Sequence, residues 1–308
     1  MGSYVVRRLL QALVVFVGVT MLIYGAVFLL PGDPIRALSP NRPLPPNVVA
    51  QLRHQFDLDA PIWQQYLNYV GNVVRGNLGT DFFGRPVLGL MKERWPVTLR
   101  LAATAWFFEI VLGVGLGVWA ALRRGRVADY TILGAGIAII SIPAFVLAFT
   151  AQLLLGVQAG VFPVAGTQDG WPMSYVLPGF ILGAFGLASV SRLVRSTMAE
   201  NLQADYIRTA HAKGASPARI VLRHALRNSL IPAVTYLALD LGTLLGGTVI
   251  VEGIFNLPGV GQLLFSGIQQ QNGPVIVGVS TTLVLIFLLL NLVVDLLYAV
   301  LDPRIRLD

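Results

Sequence analysis

Few residues in this chain are equipped for chemistry, and their spacing excludes more than it offers. Cysteine is absent, which rules out disulfides, thiolate metal sites and thiol nucleophiles. The three histidines, His54, His211 and His224, fall in separate segments and form no HExxH or similar ligand spacing, so no metal site is expected. Lys92 and Lys213 are the only lysines, neither belongs to a G-x-x-x-x-G-K-[ST] phosphate loop, and no G-x-S-x-G elbow occurs. An enzyme reading has little support, and the chain shows no sign of hydrolysing nucleotide itself. What remains is a set of acids inside apolar stretches and one basic segment between residues 192 and 230.

The acids are Glu109, Asp240 and Asp295. An ionised carboxylate at the centre of a bilayer costs about 3 kcal/mol on insertion scales, so such groups face protein or water. Asp295 lies close to the end of its apolar stretch and can reach the interface. Glu109 and Asp240 lie near mid-span. A structural hydrogen bond is the favoured reading of Glu109. Asp240 divides evenly between holding a cationic or amino-bearing solute in a water-filled path and pairing with a neighbouring helix. Pro143, also mid-span, is expected to kink its helix and free a carbonyl. With Ser141 beside it, Glu109, Asp240 and Pro143 make up the candidate lining of a translocation path.

The elements that must position these groups are membrane spans. Of 308 residues, 55% are hydrophobic and only 12% charged, with mean hydropathy +0.71; soluble domains carry roughly 25% charged residues. Apolar runs of spanning length occur at Val5–Leu30, Thr98–Leu122, Thr131–Gly156, Tyr175–Arg195, Ile231–Val251 and Val275–Val300. The first opens with Arg7 and Arg8 and ends at Pro31-Gly32-Asp33-Pro34; it is too long for a signal-peptide core and reads as a retained helix. The net charge of +7 is then a matter of placement rather than nucleic-acid binding. With both termini inside, the inner segments hold 14 of the 22 basic residues, and the outer loops 157–174 and 252–274 hold none. The expected protein is all-α, with six transmembrane helices, both termini cytoplasmic, and multi-pass in the membrane. Residues 1–30 give the first helix, 31–97 an external segment, and 98–308 a five-helix core that includes a cytoplasmic loop at 196–230.

Within the external segment, Pro61–Val74 repeats aromatic and aliphatic residues at helical spacing and reads as a small cap on the bundle. Residues 252–274 are apolar but broken by Gly and Pro, which suggests a short re-entrant or lip element at the outer mouth. Glycines four apart at Gly113/Gly117, Gly179/Gly183 and Gly242/Gly246 suit close helix packing.

The 196–230 loop is punctuated. Asp205 is an expected N-cap for Tyr206–Lys213, and Gly214 an expected C′ terminator. Ser216 caps again, with Pro217 at the first helical position. Arg219, Arg223 and Arg227 then recur at every fourth residue on one face. Residues 192–230 hold seven basic and two acidic residues, net +5. An ordinary basic loop binding lipid headgroups is one reading. Two successive capped helices make a structured docking surface for a cytoplasmic partner at least as good a reading.

The stretch DYIRTAHAKGASPARIVLRHALRNSLIP resembles the EAA loop of the permease subunits of binding-protein-dependent ABC importers. Gly214 matches the motif glycine, Thr209 and Ala210 fill the two alanine positions, and Arg208 stands where the eponymous glutamate would be. Further matches run in order along the chain: PGDP at 31–34, YLNYVGNVVRGNLGTD at 66–81, RPV at 85–87, RWPVTLRLA at 94–102, SIPAF at 141–145, VEGIFNLPGVGQLL at 251–264 and DPRIR at 302–306. The ordered set resembles the first permease of dipeptide, oligopeptide and nickel importers. Asp240 departs from that pattern, where a neutral polar residue is commoner.

The resemblance implies a type I ABC importer permease fold in a prokaryotic cytoplasmic membrane. It implies a coupling role for Asp205, Tyr206, Arg208, Thr209, Ala210, Lys213 and Gly214, docked on a separate ATPase. The implied partners are a homologous second permease, two ATPase subunits or domains that bind ATP and Mg, and an external solute-binding protein. The mechanism implied is alternating access with peptide as cargo; nickel chelates or haem are the alternatives within the class. Outside it stands an ion-coupled secondary transporter, with Glu109 and Asp240 as proton carriers.

Overall fold

The computed structural model describes residues 2–29, 45–56 and 59–301, so the PGDP motif and the DPRIR motif with Arg304 and Arg306 lie outside the described residues. Among the described residues the regular structure is helical, apart from one isolated bridge between Thr80 and Pro86. In order the helices are α1 (Gly2–Phe28), α2 (Pro46–Gln55), α3 (Ile62–Val74), α4 (Val87–Leu122), α5 (Val127–Ser141), α6 (Ala144–Gln158), α7 (Met173–Asn201), α8 (Asp205–Ala212), α9 (Pro217–Ile254), α10 (Val260–Gln269) and α11 (Gly273–Leu301). Each of α1, α4, α7, α9 and α11 contains a stretch long and apolar enough to cross a membrane. The pair α5 and α6 supplies a sixth crossing if it is counted as one broken span.

Three expectations change in detail. The third span is not one kinked helix: α5 and α6 meet at 106°. Ile142 is extended (φ −95°, ψ 128°), the conformation a following proline favours, and Pro143 stands at the N-cap of α6. The second span starts at Val87 rather than Thr98 and runs 36 residues, roughly 54 Å at 1.5 Å per residue, well beyond the hydrocarbon thickness. The fifth does not start at Ile231, because the helix opened by Pro217 continues through Pro232 to Ile254 for 38 residues.

The turn before α4 explains two of the matched motifs at once. Asp81, fully buried, accepts the backbone N–H of Phe83 at 2.9 Å and of Arg85 at 2.8 Å, and the Arg85 guanidinium closes on its other oxygen at 2.7 Å. LGTD and RPV are therefore the two sides of one charged turn.

Contacts divide the chain into two units, residues 1–98 with 257–308, and residues 99–256. In the first, α1 lies along α11, and α3 is held to both by tyrosine hydroxyls. Tyr66 donates to the Val17 carbonyl at 3.0 Å and pairs with the Thr20 hydroxyl at 2.9 Å. Tyr69 donates to Thr281 at 2.8 Å. Tyr24, Tyr66 and Val277 form the buried centre of this packing, and its location makes α3 a cap on α1 and α11. The outer apolar segment forms α10, whose first N–H, on Val260, donates to Thr98 at 2.8 Å. Asp295 ends near Arg8, at 3.2 Å.

In the second unit, α7 is central and packs against α4, α5 and α9. Its glycines make that possible. A Cβ at Gly183 would stand 2.6 Å from the Ala105 carbonyl oxygen, and one at Gly117 would stand 2.7 Å from the Ser191 carbonyl oxygen. Gly179 and Gly183 of α7 thus admit the backbone of α4, while Gly113 and Gly117 of α4 admit α7. Gly246 differs: it is exposed, and among the described residues no atom would meet its Cβ within 4 Å.

Candidate functional sites

The basic segment folds as α8 followed by the start of α9. Asp205 is the first helical residue rather than the N-cap; Ala204 takes the cap position with extended backbone (ψ 151°). The carboxylate still lies in the first turn, where the helix dipole favours negative charge. The end is as the glycine requires. Gly214 has φ +77°, its N–H reaches the His211 carbonyl at 2.9 Å, and the Ala215 N–H reaches Ala210 at 3.1 Å. This is the paired bonding of a Schellman stop. Ser216 and Pro217 then open α9 as expected, although the Ser216 side chain makes no capping bond.

The short helix has two faces. Ile207 and Ala210 are buried with Ala121, Met198, Ile220 and Ala225, which seats α8 on the ends of α4, α7 and α9. Asp205, Tyr206, Arg208, Thr209, His211, Lys213 and Gly214 are exposed. Six of the seven residues assigned to coupling therefore lie at the surface, and Ala210 is in the foot beneath it. Arg219, Arg223 and Arg227 are exposed as well.

Asn201, Asn228 and Ser229, to which no role is assigned above, fasten Tyr206 and this surface. Tyr206 donates to the Asn201 side chain at 2.6 Å, and Asn228 donates to the Tyr206 oxygen at 3.3 Å. Asn201 in turn donates to the Ser229 hydroxyl at 3.0 Å. The end of α7, the front of α8 and the N-terminal part of α9 are joined by this chain of bonds.

The intramembrane residues divide. Ser141 and Pro143 stand at the α5–α6 break, where the Ser141 hydroxyl bonds back to the Ile137 carbonyl at 2.8 Å. Glu109 and Asp240 come together. Glu109 is fully buried at the start of a π-helical turn, Glu109–Gly113, a wider turn common at functional positions. Its carboxyl occupies the space that a side chain at Gly186 would fill. One turn earlier, the Trp106 indole N–H donates to the Leu237 carbonyl at 3.2 Å and ties α4 to α9. The Asp240 carboxyl neighbours Glu109, with the Tyr236 hydroxyl and Ser189 alongside. Asp240 also accepts from Thr243 at 2.6 Å. Neither Glu109 oxygen meets a hydrogen-bond donor. Among the described residues, no group of three or more His, Asp or Glu could hold a metal ion.

Residues 113–307 match the family described as "Binding-protein-dependent transport system inner membrane component", and residues 1–102 match its N-terminal companion. The chain is 38% identical to the "Di/tripeptide transport system permease protein DppB" of Pseudomonas aeruginosa, with 99% of each chain covered. It is 36% identical to the "Dipeptide transport system permease protein DppB" of Escherichia coli and 38% identical to the "Glutathione transport system permease protein GsiC" of the same species, again with 99% of each chain covered. Among solved structures, the MetNI methionine ABC transporter in an inward-facing conformation superposes with a TM-score of 0.56 at 22% identity, covering 69% of this chain and 96% of that one. That likeness is one of fold.

Proposed function

The chain belongs to the family of binding-protein-dependent transport system inner membrane components, and from that premise we propose that it carries short peptides across the membrane by alternating access. It is a multi-pass permease subunit of an ABC importer, a class that works with ATPase and substrate-binding partners. Peptide is the cargo we assign, since the relatives are named for di- and tripeptides, dipeptides and glutathione. The partners we assign are a homologous second permease, two ATPase subunits that hold ATP and Mg, and an external binding protein. Both chain ends are placed on the cytoplasmic side.

One observation carries the coupling role: α8 is a short, well-stopped helix with an apolar foot in its own bundle and a polar, basic outer face. A loop needed only for charge balance has no use for such a foot. In the proposed cycle, closure of the ATPases displaces α8, and the displacement passes into α7 and α9 through Tyr206, Asn201 and Asn228. Ligands move such an equilibrium only by binding the two states unequally.

The test is reconstitution of the subunit with its ATPases and binding protein in vesicles. Dipeptide uptake that requires ATP and the binding protein is expected. Uptake that proceeds without nucleotide under a proton gradient would overturn the reading.

A further inference from the structure

Glu109 presents a problem in charge that the transport reading leaves unsolved. It is fully buried, both its oxygens lack a donor, and the charged group that acts on it is a second carboxyl, Asp240, from another span. Two carboxylates can only accept hydrogen bonds, so no bond can form between them while both are ionised. Asp240 is half-buried and already accepts from Thr243, but Glu109 is sealed from water, so a negative charge on Glu109 beside a second carboxylate is unfavourable, and one proton between the two relieves both difficulties.

We propose that Glu109 and Asp240 form one proton-binding site, in which a single proton held between the two carboxyl groups joins the π-helical turn of α4 to α9. Among the described residues, no cationic side chain acts on the pair. From α9 the titratable groups at the site are Asp240 itself and Tyr236. From α7 it meets Gly186 and Ser189; the arginines that follow are engaged elsewhere, Arg192 being exposed and Arg195 bound to Asp129. Gly186 leaves the recess that lets the Glu109 carboxyl lie between the helices rather than against one of them. A fully buried, donorless carboxyl beside a second one is an arrangement that a bound proton relieves.

The site ties proton uptake to helix packing. While α4 and α9 are together, the shared proton bonds them at mid-membrane. When they part and water enters, each carboxyl is solvated separately and the proton leaves. Reclosure requires a proton from the bulk.

Infrared difference spectroscopy on the assembled transporter in lipid nanodiscs tests this, comparing wild type with Glu109→Gln and with Asp240→Asn. A protonated-carboxyl C=O band is expected in the wild type at neutral pH. It should be lost in Glu109→Gln, whose amide N–H replaces the shared proton, and shifted or lost in Asp240→Asn, where the bonding partner becomes a neutral amide. If one variant fails to assemble, the other reads the same band. A wild type without the band, or a band unchanged in the variants, overturns the proposal. So does a band that vanishes when sodium or potassium replaces choline in the buffer, because the site would then hold a metal cation.

Discussion

Arg195 lays its guanidinium across both carboxylate oxygens of Asp129, Nε at 2.9 Å and a terminal nitrogen at 2.7 Å. Asp129 is 1% exposed and also receives the Gly125 N–H at 2.9 Å. The fork thereby fixes the turn between α4 and α5 to α7. Asp129→Ala is expected to cost about 3 kcal/mol, near the lower end for breaking a buried pair, because a quarter of the Arg195 side chain is exposed. Arg195→Lys keeps the charge but loses the two-point geometry, and should cost less. Thermal unfolding of the complex in detergent reads both.

The hydroxyl of Tyr206 is the link between α8 and its neighbours. Tyr206→Phe removes two hydrogen bonds at an exposed position, worth roughly 1 kcal/mol each at most, so folding should survive. Peptide taken up per ATP hydrolysed is expected to fall severalfold. Coupling equal to wild type would mean that the apolar foot of α8 transmits motion unaided.

Gly214 holds a left-handed backbone conformation that costs an L-residue roughly 1 to 2 kcal/mol. Gly214→Leu should therefore fray α8 and uncouple ATPase activity from uptake while expression stays normal. Arg208→Glu should do the same through charge: its pairing with Asp205 is fully solvated, so nothing in this chain depends on it. Stimulation of the ATPase by binding protein, measured in both variants, checks the outcome.

Two glycines of similar sequence context should respond in opposite ways. Gly183→Ala forces α4 and α7 apart, since the obstructing atom is the backbone oxygen of Ala105; a loss of roughly 1 to 3 kcal/mol is expected. Gly246→Ala meets nothing among the described residues and improves helix propensity by up to about 1 kcal/mol. Melting temperatures of the purified subunit separate the two. Any defect in Gly246→Ala should instead appear in assembly with a second permease.

Features set by local backbone chemistry were legible in the sequence. The stop at Gly214 and the restart at Ser216-Pro217 follow from conformations that glycine and proline impose on their own positions. The glycine pairs on α4 and α7 were readable for another reason, that small residues four apart let a second backbone approach. Asp205 was misplaced by one residue because a carboxylate suits both the cap and the first turn. Pro232 is accommodated inside α9, where its lost bond frees the carbonyl of Asn228, an exposed residue near the N-terminal end of that helix. The break at Pro143 shows the opposite outcome for the same residue type. Least legible were the meetings across elements. Nothing near Glu109 announces Asp240 or Gly186, and Asn201 and Asn228 carry no pattern until α7 and α9 bring them to Tyr206 of α8.

The unbroken course of α9 has a mechanical consequence. From Pro217 to Pro232 the helix measures roughly 22 Å, and from Pro232 to Ile254 roughly 33 Å at its ordinary rise. If it pivots at the proline, it is a lever with unequal arms. A push on the short arm beside α8 swings the far tip the opposite way through about one and a half times the distance. Asp240 lies on the long arm only two turns past the fulcrum, so it shifts far less than the tip. A gate at the outer end can then swing widely while the carboxyl pair separates by only a small gap.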